Sequence, residues 1–171
     1  ESRNLSWSAK VCIPLIMRVF PKLKNVVIGQ AGAGPSELGE ITLRDFIEWF
    51  LSKGQIVRLE LLGMMITECS RVSQANIQHL SPPVVSLTLS GVVVPNQYLC
   101  GTVLLFQKLK YLKIKNCSYF GDSAANLLLA NLPNLKEVHF EELFELHELD
   151  YAQSRVNIHA LHVIKCPRLK R

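Results

Sequence analysis

Two histidines and two glutamates give this sequence its clearest potential for chemistry. Glu137, His139 and Glu141 alternate along one short segment, and His162 occupies the matching place in a later segment. Two imidazoles and a carboxylate form a donor set that Zn²⁺ accepts. Two of five histidines on one surface are unremarkable, so these side chains are interpreted as partner-binding. We predict no bound metal ion and no other cofactor.

Two cysteines are the other candidates. Cys117 and Cys166 follow apolar segments at the same relative position, and the total of five cysteines is odd. On strands two apart, about 4.8 Å each, they would be too distant for a disulfide. Reduced, structural thiols are therefore predicted. The sequence shows no serine elbow and no pair of acids in a cleft, so we assign no catalytic residue and expect a non-enzyme.

A glycine-rich stretch from Gly29 to Gly39 raises the question of phosphate binding. The phosphate-binding loop requires Gly-Lys-Ser/Thr, whereas Gly34 is followed by Pro35-Ser36. The spacing of the glycines does not fit a dinucleotide site either. An inserted loop is predicted here, without a nucleotide.

The elements that must position these side chains recur along the chain. In Leu109-x-x-Leu112-x-Ile114, apolar residues occupy positions 1, 4 and 6, and Cys117 occupies position 9. This phase is typical of leucine-rich repeats, in which each coil contributes one short parallel strand. Five more segments share it, with first positions at Leu23, Ile56, Val84, Leu135 and Ile158. Their spacings of 33, 28, 25, 26 and 23 residues lie within or close to the roughly 20–29 residues of such repeats.

The predicted fold is an α/β leucine-rich repeat solenoid of about six coils. Its parallel sheet forms the concave face, and helices or irregular segments form the convex face. Residues 1–171 make one domain, and Cys166–Arg171 begins another coil, so a fragment of a longer chain is expected. Helices are expected over Trp7–Phe20 with an interruption at Pro14, over Leu43–Ser52 with Thr42 as cap, and over Gly121–Leu132 with Asp122 or Ser123 as cap and Leu127, Leu128 and Leu132 facing inward.

Composition narrows the class of partner. A hydrophobic content of 49% with 19% charged residues is typical of an ordered domain. The net charge is +5, but the basic residues are spread along the chain and form no nucleic-acid motif, so no nucleic-acid partner is predicted. No apolar run reaches the roughly 18 residues of a membrane span. We expect a cytoplasmic protein with no membrane partner.

Three segments carry a resemblance to known families. Leu132-Pro133-Asn134-Leu135-Lys136-Glu137-Val138 and Leu161-His162-Val163-Ile164-Lys165-Cys166-Pro167-Arg168-Leu169-Lys170 resemble the C-terminal repeats of plant nucleotide-binding leucine-rich repeat immune receptors. Asn116-Cys117, which leads into Gly121-Asp122-Ser123-Ala124-Ala125, resembles the repeats of F-box proteins. The resemblance implies a repeat fold and, for the first family, a sensing or autoinhibitory role with further domains in the same chain.

The outward strand positions are the expected binding surface. On stacked parallel strands they form a concave face of the kind on which solenoids bind proteins. A pair formed by Lys115 and Glu141 is the alternative for part of this set. The predicted partner-binding residues are Arg58, Glu60, Tyr111, Lys113, Lys115, Glu137, His139, Glu141 and His162. The leading hypothesis is a non-enzymatic recognition module of an immune receptor; an F-box substrate receptor and a structural subunit of a larger assembly are the alternatives.

Overall fold

Eight parallel-paired β-strands and two helices make up the described part of the chain. The computed structural model describes residues 9–29, 40–42, 48, 55–67, 82–93, 103–150 and 157–170. The helices are α1 (Ala9–Val19) and α2 (Asp122–Asn131). The strands are β1 (Asn25–Gly29), β2 (Glu40–Thr42), β3 (Arg58–Leu62), β4 (Met65–Thr67), β5 (Ser86–Ser90), β6 (Tyr111–Lys115), β7 (Glu137–Glu141) and β8 (Ala160–Ile164).

Six of these strands form one parallel sheet. Its order is β1-β3-β5-β6-β7-β8, so strands that follow one another in the sequence lie side by side. Their register matches the sequence pattern, because position 4 of each segment pairs with position 4 of the next, as in Val26↔Leu59 and Leu112↔Val138. The prediction of an α/β fold with six parallel strands is confirmed.

A second, two-stranded sheet was not predicted. The strands β2 and β4 pair in parallel, with Thr42 opposite Thr67. Thr42, which is expected to cap a helix, is the last residue of β2. The helix expected over 43–52 lies outside the described residues, apart from Glu48, and so does most of the glycine-rich stretch.

The same backbone hydrogen bonds recur where each main-sheet strand begins. One carbonyl accepts two consecutive N–H groups from the next strand: Lys24 accepts from Val57 and Arg58 at 2.8 and 3.0 Å, and Lys110 accepts from Lys136 and Glu137 at 2.9 and 3.0 Å. A short turn leads into three of the repeat segments and recurs after β8, with an N–H bonded to the carbonyl three residues earlier. Its donors are Leu23, Leu109, Leu135 and Leu169. The repeated sequence is therefore also a repeated backbone structure.

The residue after each of five strands has a left-handed backbone. The φ angles at these positions lie between 47° and 63°, at Gly63, Gly91, Asn116, Glu142 and Lys165. The N–H of Asn116 donates to the carbonyl of Glu141 at 2.9 Å, and that of Gly91 donates to Lys115 at 2.9 Å. At four of the five positions, the N–H extends the ladder to the next strand by one bond.

The inward face of the sheet is the core. Leu59, Leu87, Leu112 and Val138 are at most 1% exposed. On β8, the outermost described strand at that edge, Leu161 is only partly buried. Burial of these side chains is the largest favourable contribution to folding, and it stabilises the folded state by about 25 cal/mol per Å² of apolar surface.

The helices correct three details of the sequence analysis. Pro14 lies inside α1 and does not interrupt it. The residue before α2 is Gly121, which makes no side-chain capping bond; Asp122 accepts the N–H groups of His147 and Glu148 instead. Leu127, expected to face inward, is 42% exposed, whereas Leu129 is buried.

Within the described residues, no helix combines the length and apolar character needed to cross a bilayer.

A pair of leucine substitutions tests the core assignment. Leu112→Ala empties a fully buried site, so we expect the free energy of unfolding to fall by about 2–5 kcal/mol. Leu127→Ala removes the same atoms from an exposed site on α2 and is expected to cost under about 1 kcal/mol. Chemical denaturation of both variants measures the difference. Equal losses would contradict the assigned inward face.

The left-handed turn is testable by a matched pair of variants. Gly91→Ala puts a Cβ on a residue with φ of 62°, so we expect it to cost about 1–2 kcal/mol. Asn116→Gly, at the equivalent position after β6, relieves strain while it loosens the unfolded chain, and a change within about 0.5 kcal/mol is expected. Denaturation midpoints compare the two. A Gly91→Ala variant as stable as the wild type would contradict the turn.

Candidate functional site

The outward face of the main sheet carries every residue predicted to bind a partner. The register aligns Glu60, Thr88, Lys113, His139 and His162 in one central column. Seven of the nine predicted residues lie on the adjacent strands β6, β7 and β8. Arg58 and Glu60 lie on β3 and are separated from that group by the small polar side chains of β5.

Glu141 is the electrostatic centre of the group on β6 to β8. Its carboxylate accepts a hydrogen bond from Lys113 Nζ at 2.7 Å and lies 3.7 Å from Lys115 Nζ, which confirms the expected Lys115–Glu141 pair. Its side chain is only 12% exposed. The bond from Lys113 lowers the pKa of Glu141, with burial opposing it. The stabilisation from this pairing is present at neutral pH and is lost as the pH falls through the lowered pKa.

His139 contacts side chains on three strands. Its Nε2 lies 2.7 Å from Glu137 Oε1, and its Nδ1 lies 4.0 Å from Glu141 Oε1. The imidazole stacks on that of His162, with centroids 4.2 Å apart and planes at 14°. On the other side, the Tyr111 ring lies 5.2 Å away at 43°. The rings therefore form a continuous row across β6, β7 and β8.

Tyr111 begins that aromatic row. Partial burial raises the pKa of its phenol, against the lowering effect of Lys113. The phenol is therefore protonated at neutral pH and can donate a hydrogen bond. Tyrosine, whose rigid ring ends in a polar hydroxyl group, is enriched at protein interfaces.

Arg58 and Glu60 form a separate pair on β3. Arg58 Nη2 lies 2.6 Å from Glu60 Oε1, and the arginine side chain is 59% exposed. An ion pair this exposed contributes at most about 1 kcal/mol to folding. Its guanidinium is held out from the sheet, where it can contact a ligand.

The two cysteines have the structural positions predicted for them. Both are free thiols. Cys117 is buried and contacts the carbonyls of Leu89 at 3.6 Å and Lys115 at 3.4 Å; Cys166 makes the same kind of contact with Phe140 and Ile164. Burial raises the pKa of Cys117 to about 11. The Cys117 thiol is thus protonated at neutral pH and is not an activated nucleophile.

A groove that the sequence analysis missed lies beside the ends of β6 and β7. It has a volume of about 730 Å³, and its lining includes Tyr119 and Phe144, whose side chains are 64% and 58% exposed. Asn116 and Glu142, the left-handed residues after the two strands, also line it. The groove arises from turn geometry, which the apolar pattern of the strands does not encode.

Comparisons with known proteins leave the function to be inferred from these side chains. No family model, no curated protein and no solved structure matches the chain. The sheet face combines a fixed register with side chains of both charges.

The raised pKa of Cys117 predicts a pH dependence of stability. Between the ordinary thiol pKa of 9.0 and the folded value of about 11, the unfolded chain releases this proton and the folded chain keeps it. The free energy of unfolding should therefore fall through that window by about 1.4 kcal/mol per pH unit from this group. Denaturation of the wild type and Cys117→Ala at pH 8, 9, 10 and 11 isolates the effect. Parallel curves for the two proteins would contradict it.

Proposed function

We propose that this chain is a leucine-rich repeat solenoid that binds a protein partner through the exposed face of its main sheet. The recurring strand register, the double acceptor at each strand start and the left-handed turn after five strands support the repeat assignment. A backbone unit repeated in this way stacks into an extended surface.

The observation that carries the binding proposal is the contrast between the two faces of the sheet. Inward residues are apolar and mostly buried, whereas the outward positions of β6 and β7 hold charged and aromatic side chains at partial exposure. Val27 on β1 and Ile164 on β8 are the exposed apolar residues of the same face. The strands hold these side chains in place before binding, so the side chains lose little conformational entropy when a partner binds. Tyrosine and arginine, both present on the face, are enriched among residues that dominate binding energy.

The charge distribution favours a protein over a nucleic acid. Lys113 and Lys115 lie beside Glu141, and Arg58 lies beside Glu60. A phosphate backbone requires a surface of one sign, because affinity arises from release of its counterions. A surface that alternates in sign is instead complementary to a protein with its own mixed charges.

For the wider role, we propose the repeat region of a plant-type intracellular immune receptor, without catalytic activity of its own. The support is the resemblance of Cys166-Pro167-Arg168-Leu169-Lys170 to repeat endings of that family. Its short turn, from the Leu169 N–H to the Cys166 carbonyl at 3.3 Å, matches those before other repeats. The F-box substrate receptor is the alternative; a phosphate-binding ATPase domain or an F-box in the flanking sequence distinguishes the two.

Site-specific photo-crosslinking tests the proposed surface. A photoreactive phenylalanine analogue is placed at Tyr111 or Arg58 on the sheet face, or at Leu127 on α2 as the matched control, in cells of the source organism. We expect the face positions to crosslink one protein that the control position does not reach. Crosslinking of that protein mainly from Leu127 would contradict the proposed surface.

Binding of the purified crosslinked partner then tests the side chains themselves. Tyr111→Ala with Arg58→Ala removes an aromatic and a charged anchor, and we expect affinity to fall at least about tenfold. Lys108→Ala, in the exposed turn before β6, removes a similar charge elsewhere and is expected to leave affinity unchanged. Calorimetric titration gives the dissociation constants. Equal affinities for the double variant and the wild type would refute the proposal.

A further inference from the structure

We infer that Glu137, His139 and His162 form a binding site for a divalent transition-metal ion such as Zn²⁺ on the exposed sheet face. Each residue offers one donor atom, and the three atoms lie within 4.8 Å of one another. This inference revises the sequence-based expectation of no metal. It stands on geometry alone and does not depend on the proposed protein-binding function.

The backbone places all three donors on two adjacent strands. His139 on β7 pairs in register with His162 on β8. Glu137 precedes His139 by two residues and lies on the same face of β7. The imidazole planes are 14° apart, with centroids separated by 4.2 Å. Because regular strands hold the donors, no loop has to be ordered when an ion binds.

The donor distances are close to those of a tetrahedral site. Bonds of about 2.0–2.2 Å to nitrogen and oxygen put two ligand atoms roughly 3.3 Å apart. Here the Glu137 and His139 atoms are 2.7 Å apart, and no pair exceeds 4.8 Å. Shifts of about 0.6–1.5 Å bring these atoms to that separation. Because an imidazole nitrogen binds a metal within its ring plane, the stacked rings of His139 and His162 must also rotate so that both nitrogens point to one ion. Metal binding at Nε2 of His139 requires a lone pair there, so the neutral imidazole carries its proton on Nδ1 when the ion is bound.

The surroundings of His139 suit a metal ligand. Metal-binding imidazoles usually direct their second nitrogen to a carboxylate, which fixes the ring. With Nε2 beside Glu137, the opposite nitrogen Nδ1 lies 4.0 Å from Glu141 Oε1. Lys113, the register neighbour of His139, would repel a cation, but its ammonium is hydrogen-bonded to Glu141 at 2.7 Å. The Glu141 carboxylate therefore offsets the adjacent positive charge.

The donor types determine which ions fit. Two imidazoles and one carboxylate suit Zn²⁺, Co²⁺, Ni²⁺ and Cu²⁺. Ca²⁺ and Mg²⁺ prefer oxygen ligands and more of them. The site should therefore select transition-metal ions over alkaline-earth ions. Three protein ligands leave at least one coordination position for water or an incoming group.

Metal titration of the full chain tests this inference without any partner. We expect calorimetry to give one Zn²⁺ per chain and no response to Mg²⁺, and Co²⁺ to give the visible absorption of a tetrahedral nitrogen–oxygen site. His162→Ala and Glu137→Gln should each weaken Zn²⁺ binding at least tenfold. His159→Ala, an exposed histidine three residues from His162 and outside the cluster, is the matched control and should retain the wild-type affinity.

Several outcomes would overturn the inference. They are the absence of one-to-one Zn²⁺ binding, an unchanged affinity in His162→Ala, and a near-ultraviolet sulfur-to-cobalt band, which would assign the ion to cysteine. Circular dichroism of each variant shows whether the fold is intact. Zn²⁺ binding is measured on the chain in the absence of any protein partner, so failure of this inference and failure of the proposed function are seen separately.

Discussion

The structure depends on parallel pairing in one fixed register. At the start of each main-sheet strand after β1, two consecutive N–H groups donate to a single carbonyl just before the preceding strand, from Lys24 to Lys136 along the sheet. A slip of one residue would send every outward side chain into the core and every leucine into solvent. The register therefore specifies the core and, at the same time, which side chains stand next to each other on the exposed face.

The strands were predictable from the sequence because their side chains alternate with a period of two, and because three of the alternations begin after the same short turn. The burial of Leu112 and Val138 follows from their place in the repeated pattern alone. The rotational setting of α2 was not predictable. Leu127 and Leu129 are equally apolar, and only packing against the sheet decides that Leu129 is buried. The three-residue strand β2 is too short to give a periodic signal. Pro14 lies inside α1 although its ring removes one backbone donor from the helix.

The register predicted which residues lie on the polar face, but it did not predict which of their side chains bond to each other. Sequence spacing placed His139 beside His162 and Lys115 beside Glu141, as the structure has them. It gave no means to choose between neighbours two residues along a strand and neighbours across strands. Glu137 bonds His139 along β7, whereas Glu141 bonds Lys113 across to β6. Side-chain rotamers decide such choices, and they respond to every nearby charge at once.

The order of the sheet also determines how the molecule would respond to tension. Strands adjacent in sequence are adjacent in space, so a pull that separates β1 from β8 acts along the inter-strand hydrogen bonds and opens the sheet at one interface at a time. Strands pulled apart lengthwise would instead load all five residue pairs of an interface together. Such a chain should extend in small, successive steps, each of which separates one strand–strand interface. The interfaces that remain closed should keep their register.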